Sequence, residues 1–532
     1  MVDAIIARGG SSGFEIPSCD ELSSLIQDEM KDIHHYVKEV RQSWQSTGCT
    51  ILLDRWTDEK GCSLVNFLVD CPKGPIFLKS ADITGTIGNV NAMISLIDEV
   101  IEDVGVENVV QVITYTSSEF MDKVGKQLMN KYRTIFWSVC ASHCITLMLQ
   151  KIGMMKTMRR VWSQANTITK FIYSDETLLR LVKEHTHGRD LIMSSRIKST
   201  IPFLTLENIV SENENLMIFF DSSTWKTSNW AHTAMGRELS NVVEDPTFWT
   251  EATLVLKATI PLVRSLLLVN GGHDNPLVPI IYETMDQVKE TIKKEFRNKN
   301  YMPFWDAIDE IWDNTLHSHL HSAGYFLNPS LHYSSDFSSD SEVATGLSCC
   351  IVHMGEDHKT QDCISLQLDK YRTAMGTFGE EIAVDDRTKL PPVTWWSLYG
   401  SQCPELQKFA IRILSQTCCG ASRYNLRRSS SEQRQTQGMK CGGIEFVQHN
   451  AHLQHSLSVK NNTTTNSNFF LEHTKELNDF VMAAKQELNS GRDGSDLVTE
   501  GKQELNTERD DSGWSDTDEA IVIRGVISSF EM

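Results

Sequence analysis

The chain has 532 residues, 40% of them hydrophobic, which is enough for a sizeable core and too many for a single compact domain. Its formal charge of −20, from 50 Lys and Arg against 70 Asp and Glu, argues against a DNA-coating surface and leaves room only for a local basic groove. Thirteen unevenly spaced cysteines fit a reduced compartment better than a disulfide framework, the N-terminus lacks the basic start and long apolar stretch of a secretory signal, and no apolar run reaches the roughly 18 residues of a membrane span.

The first 47 residues read as a helical lead-in, because Leu22, Leu25, Ile26, Met30, Ile33, Val37 and Val40 recur at helical spacing. The period then changes. Residues 48–58, 62–72 and 74–84 read as strands, separated by turns at Gly61 and at Pro72-Lys73-Gly74. A helix over 89–105 is opened by Asn89 and closed by Gly105. A β-branched strand follows at Val109–Ile113, then a helix over 121–132, a strand over 134–140 and a helix from Ala141 onward. The order βββαβαβα predicts an α/β core over 48–155, a mixed sheet with crossover helices on its faces. Residues 156–392 read as a large all-α region. Residues 396–417 read as one helix with Leu406, Phe409, Ala410, Ile413 and Leu414 on one face. From 456 onward the composition shifts, and Lys485–Met532 holds 5 basic against 12 acidic residues, so 456–532 reads as a disordered acidic tail.

Several residues invite a chemical reading. The Val109–Ile113 strand runs into Tyr115, Thr116, Ser117 and Ser118, where a nuclease-like sheet would carry a carboxylate. Arg423, Arg427, Arg428 and Arg434 form a basic cluster that reads first as a solvated loop and second as a phosphate or nuclear-import contact. His317, His319 and His321 alternate, which on a helix spreads them around the axis and disfavours a metal tract. Trp225 and Trp230 read as core residues ahead of base-stacking ones.

Four stretches, GCTILLDRWTDEKG, FWSVCASHC, LHSAGYFLNP and WWSLYGSQCPELQKFAIRILSQT, resemble hAT-type transposases in the right order, over roughly residues 1–455. The nearest resemblance is to the plant group that carries a domain of unknown function beside a C-terminal hAT dimerisation region. It implies an RNase H-like fold interrupted by the helical insertion and closed by a dimerisation segment over 393–455. BED-type zinc fingers usually precede the region that the chain's start resembles. The family holds two divalent metals with two Asp and one Glu, to clamp the attacking water and leaving oxygen of a phosphodiester. Those positions fall on Asp54, Tyr115 and, counting without gaps from Leu414, Tyr424. A phenol with a pKa near 10 is a poor Mg²⁺ ligand. The expectation is therefore a vestigial Asp54 and an inactive, transposon-derived protein without metal or other cofactor. Asp58, Glu59 and Glu119 are the acids that stand close in sequence, while Glu432 comes eight residues after Tyr424, about 12 Å along a helix, and would need a register shift to substitute. Trp56, Cys140 and His143 belong to family phrases, with Cys140 and His143 read as a packed, hydrogen-bonded pair. Trp395, Trp396, Leu406, Phe409, Ile413 and Phe446 are the expected dimerisation residues, with Phe446 facing outward after a Gly442-Gly443 turn. The implied partners are a second copy or related hAT-like proteins, with DNA as a further partner and the nucleus as the setting. The alternatives are a DNA-binding regulator without cleavage and an active transposase using substitute carboxylates.

Overall fold

A computed structural model describes residues 19–461, apart from 59, 194, 196, 272–277, 425 and 427–441. Helix α1 (Cys19–Thr47) leads into β1 (Cys49–Thr57), β2 (Ser63–Asp70) and β3 (Ile76–Asp82). Then come α2 (Val90–Val104), β4 (Val109–Thr114), α3 (Glu119–Lys131), β5 (Phe136–Val139) and α4 (Ala141–Gly153). The five strands form one mixed sheet in the order β3-β2-β1-β4-β5. The first three pair antiparallel, and β1, β4 and β5 run parallel. This is the mixed sheet expected from the sequence, and a large helical region follows it from Lys156.

Both faces of the sheet are covered, so its inner strands carry apolar residues on both sides. Ile51 and Leu53 of β1 join Val37 and Trp44 of α1 and Ile97 of α2 in one core. Leu52, between them in sequence, points the other way, toward Leu68, Ile113 and the later residues Tyr424 and Leu453. All eight residues of β2 are buried. Gly48 makes the turn from α1 to β1 with φ +65°, and a Cβ there would stand 2.4 Å from Val110 Cγ2. Only glycine satisfies both conditions.

Two expectations fail at the C-terminal side. Residues 396–417 are not one helix. They form parts of two, Pro392–Tyr399 and Pro404–Leu414. Five apolar residues at helical spacing suggested continuity, but Pro404 lacks an amide proton and disfavours helical geometry in the residue before it, so it starts a helix instead of continuing one. The expected tail starting at 456 begins inside a helix, Gly442–Asn461. From 462 on that expectation lies outside the described residues.

One helix does have the length and apolarity to cross a membrane, over Pro246–Asn270, a span the sequence reading did not anticipate. Most of its apolar stretch is inside the protein, with Val255, Leu262 and Leu266 in the largest core.

Candidate functional site

β1 and β4 are parallel neighbours in the register Leu52 to Ile113. Asp54 and Tyr115 thus stand at the same edge of the sheet, as the strand order required. They do not face the same way. Strand alternation puts Asp54 on the side of Leu52. It is buried and sits opposite Asn66 of β2. β4 ends at Thr114, so Tyr115 is the first residue of a loop. Its ring packs against the core of the opposite face, that of Ile51 and Leu53, and its hydroxyl lies 3.9 Å from Met121 Sδ. Trp56 Nε1 donates to Asn66 Oδ1 at 3.3 Å, and Ser80 Oγ donates to the same oxygen at 2.8 Å.

Tyr424 closes a short 3₁₀ turn, Ala421–Tyr424. Its ring packs with Leu52, Leu68 and Ile113, and its hydroxyl accepts from Arg423 Nη2 at 2.6 Å. The same guanidinium donates to the Asp70 carboxylate. Asp70 pairs with Thr50, four residues before Asp54 on β1 and so about 13 Å along the strand. The Tyr424 hydroxyl is therefore tied toward the far end of β1 from Asp54. Burial raises the Asp70 pKa against the pull of Arg423. Burial also pulls Arg423 downward, but Tyr424 and Asp70 outweigh it and hold the guanidinium charged. Arg423 is thus a buried ion-pair member and not part of a solvated basic loop. Arg427, Arg428 and Arg434 lie outside the described residues.

Cys140 sits where β5 meets α4, and its Sγ accepts the Gly420 amide proton at 3.1 Å. His143 is pulled to a pKa of about 4 by burial, and its Nε2 has no hydrogen-bond partner. The two residues stand three apart at one strand-to-helix junction, where the His143 backbone hydrogen-bonds the Cys140 thiol. His317 Nε2 lies 2.8 Å from Ser322 Oγ and 3.0 Å from Glu342 Oε1, while both ring nitrogens of His321 lack a partner. Among the described residues no three His, Cys, Asp or Glu side chains form a group able to hold a metal. Trp225 is buried against Phe220, with its Nε1 donating to Ser240 Oγ at 3.0 Å, and Trp230 is half-buried against the same core.

The expected dimerisation anchors are core residues. Trp395 Nε1 donates to the Ala383 carbonyl and Trp396 Nε1 to the Leu327 carbonyl, each at 2.8 Å, and both rings are fully buried. Leu406, Phe409 and Ile413 are buried as well. Phe446 does not face outward. It is half-buried within the helix Gly442–Asn461, its ring stacks 5.7 Å from His34, and Gly442 and Gly443 are helical instead of forming a turn. The sequence reading missed Asn450, whose side chain bonds both the amide (3.0 Å) and the carbonyl (2.9 Å) of Phe77 and so docks that helix on β3. It also missed Gln111, which bridges Thr50 Oγ1 (3.0 Å) and the Thr417 carbonyl (2.5 Å). A polar residue inside an otherwise apolar strand was the available signal for Gln111.

A cavity of about 330 Å³ opens at the C-terminal edge of β1 and β4. Arg55, Trp56, Tyr115, Thr116, Phe120 and Ile87 line it, and Arg55 is its one charged lining residue among those described. The helices α2 and α3 begin beside it, capped by Asn89 and Ser118.

Two stretches match known family models. Residues 17–168, which span the sheet, match a domain of unknown function, DUF659. Residues 367–437 match the hAT family C-terminal dimerisation region. Together they mark the chain as hAT-type transposase-like, with a dimerisation region on its C-terminal side. No curated protein matches the chain.

Proposed function

We propose that this hAT-like protein acts through self-association, or through pairing with a related hAT-like chain, and does not cut DNA. What supports this reading is the divergence of the three positions where the resemblance puts metal ligands. A two-metal site needs hard oxygen ligands converging on ions about 4 Å apart. Asp54 keeps its carboxylate, Tyr115 packs on the opposite face, and the Tyr424 hydroxyl is engaged by Arg423. Two of the nearby acids make contacts of their own. Asp58 Oδ1 accepts the amide protons of Lys60 (3.0 Å) and Cys62 (2.8 Å), and Glu119 is ion-paired with Lys123 at 2.6 Å. Glu59 and Glu432 lie outside the described residues. In this reading the sheet is an RNase H-like core kept as a scaffold, and the protein is nuclear. Eleven cysteines among the described residues stand unpaired, as a reducing compartment would keep them.

The test is strand cleavage with Mg²⁺ or Mn²⁺ on duplex and single-stranded DNA. The unmodified protein is expected to show none, and Tyr115→Asp alone is expected to restore none. Cleavage by the unmodified chain that Asp54→Asn abolishes would overturn the reading.

A second reading, DNA binding without cleavage, is favoured by the cavity at the strand ends, where aromatic rings and hydroxyls surround Arg55. If Arg55 contacts a phosphate, Arg55→Ala weakens binding equally for all sequences and lowers the slope of log K against log salt by about 1. An unchanged slope, or no DNA retained at low salt, removes this reading.

A further inference from the structure

We propose that the cavity at the C-terminal ends of β1 and β4 takes a nucleoside monophosphate, with its phosphate on Arg55 and its base against the rings of Tyr115 and Phe120. This site stands apart from self-association, and its occupant is a small molecule where the second reading puts a DNA strand. It also lies on the other side of the sheet from Asp54. Ile83, Met93, Tyr115 and Phe120 border the cavity and pack with the core formed by α1, α2 and α3. Strand alternation puts Arg55 on that side and Asp54 on the opposite one.

Size and charge select the class of ligand. At about 330 Å³ the cavity stands at the lower end of the range for small-molecule sites. A groove for a nucleic acid strand instead tracks the backbone with a row of cations. Arg55 is the one charged lining residue among those described, so the cavity matches a single phosphate group and not a polyanion. Among the described residues no carboxylate is ion-paired with Arg55. The lysines on β3 and α3 differ, since Lys79, Lys123 and Lys131 are held by Glu99, Glu119 and Asp98. The planar guanidinium of Arg55 thus keeps its charge-assisted donors for a ligand, and a phosphate accepts two of them side by side.

The surroundings of Arg55 suit the rest of such a molecule. Tyr115 and Phe120 are half-buried, so each ring keeps an open part on which a flat base can lie. Thr116 and Ser118 bring hydroxyls to the same edge. Ser118 Oγ accepts the Met121 amide proton at 3.3 Å and retains its own proton for a ribose or phosphate oxygen. Ile87, 54% exposed, forms an apolar lip. Gly88 beside it has φ +81°, and no atom lies within 4 Å of where its Cβ would stand, so the bare backbone borders open space. The first turn of α2 follows directly. It carries no acidic residue, unlike that of α3 with Glu119 and Asp122, so its partial positive charge is left for an anion.

The test is calorimetric titration of the full chain with the monophosphates of adenosine, guanosine, cytidine and uridine. The bare nucleosides, inorganic phosphate and a single-stranded oligodeoxynucleotide are separate arms. Saturable binding of at least one monophosphate is expected, with its nucleoside and inorganic phosphate each weaker by about tenfold or more. Arg55→Gln is expected to weaken the monophosphate by about tenfold or more and to leave the nucleoside unchanged. Ile87→Asp, at an exposed position, sets a negative charge on the lip and is expected to weaken the monophosphate as well. Circular dichroism checks that both variants stay folded, and if Arg55→Gln does not, Ile87→Asp is read alone. The proposal is overturned if no monophosphate binds, if a nucleoside or inorganic phosphate binds as tightly, or if the folded variants bind the monophosphate as the unmodified chain does. Binding of the oligonucleotide alone overturns the small-molecule occupant and leaves the second reading standing. Binding of a monophosphate without the oligonucleotide supports the small-molecule site and removes the second reading.

Discussion

Arg423→Met is expected to destabilise the fold by about 3–5 kcal/mol, read as a lower denaturant midpoint at an unchanged slope. Both side chains of the Arg423–Asp70 pair are almost wholly buried, at 3% and 7% exposure. Removing the guanidinium leaves the Asp70 carboxylate buried without its cation, and the Tyr424 hydroxyl loses the donor at 2.6 Å. The pair also spans 353 residues and ties the segment after Pro404–Leu414 to the end of β2. Its loss should therefore loosen that segment before the sheet itself, with amide exchange rising first around 421–426. Replacing both partners, as in Asp70→Leu with Arg423→Met, is expected to recover most of the stability, because no buried charge remains. Tyr424→Phe should cost about 2–3 kcal/mol, because its buried hydroxyl is hydrogen-bonded to both charged partners, Arg423 and Asp70. If Arg423→Met is neutral while the protein stays folded, the pair is not closed as described.

The sheet was legible because its signals are local. β-branched runs bounded by Gly and Pro placed five strands in the right order, and their pairing followed from chain order and short turns. Asn89 and Gly105 bounded α2 correctly because capping is decided within a turn of the helix end. Local periodicity failed where something nonlocal or steric competed with it. The stripe of Leu406, Phe409 and Ile413 extended the helix on paper through Gly400 and Pro404, where the backbone cannot follow.

The site was legible in identity and not in orientation. That Tyr stands at 115 and 424 is read directly from the chain. That Tyr115 turns to the other face, and that the Tyr424 hydroxyl meets Arg423, depends on how loops pack. The same distinction explains the tryptophans. Trp396 is capped by a carbonyl 69 residues earlier, at Leu327, and no pattern around residue 396 announces that partner. Two adjacent tryptophans look like interface anchors until the chain that covers them is placed. Arg423 looked solvated for the same reason, since the neighbouring arginines set the local composition and Asp70 lies far away in sequence.

Stability is expected to fall steeply on acidification from about pH 6.5 toward 4, and His321 to be one of its main sources. His321 has no exposed surface, and neither ring nitrogen has a partner. Burial, with the nearby His317, lowers its pKa to about 3. Burial likewise lowers His143 to about 4, and burial with Arg372 and Arg387 lowers His332 to about 4. In the unfolded chain an imidazole titrates near 6.5. Below that pH the unfolded state gains protons that the folded state cannot take until pH 3 to 4. The stability is thus fully present above 6.5 and is lost as pH falls, by about 1.4 kcal/mol per pH unit for each histidine. Three histidines together give roughly 4 kcal/mol per unit through the middle of the range. Glu342 extends the loss downward. A hydrogen bond from His317 holds its pKa at about 2, so its contribution is present above the unfolded value of 4.5 and disappears between there and 2. Carboxylates elsewhere, in a chain of net charge −20, titrate over the lower part of this window and change the total. The discriminating quantity is therefore the difference between two proteins. His321→Leu removes one buried imidazole and its two unsatisfied nitrogens, so it should be near neutral or stabilising at pH 7. Its urea midpoint plotted against pH between 6 and 4 should be shallower than that of the unmodified chain by about one proton's worth. Parallel curves would mean that His321 binds its proton equally in both states and is not the buried neutral group described.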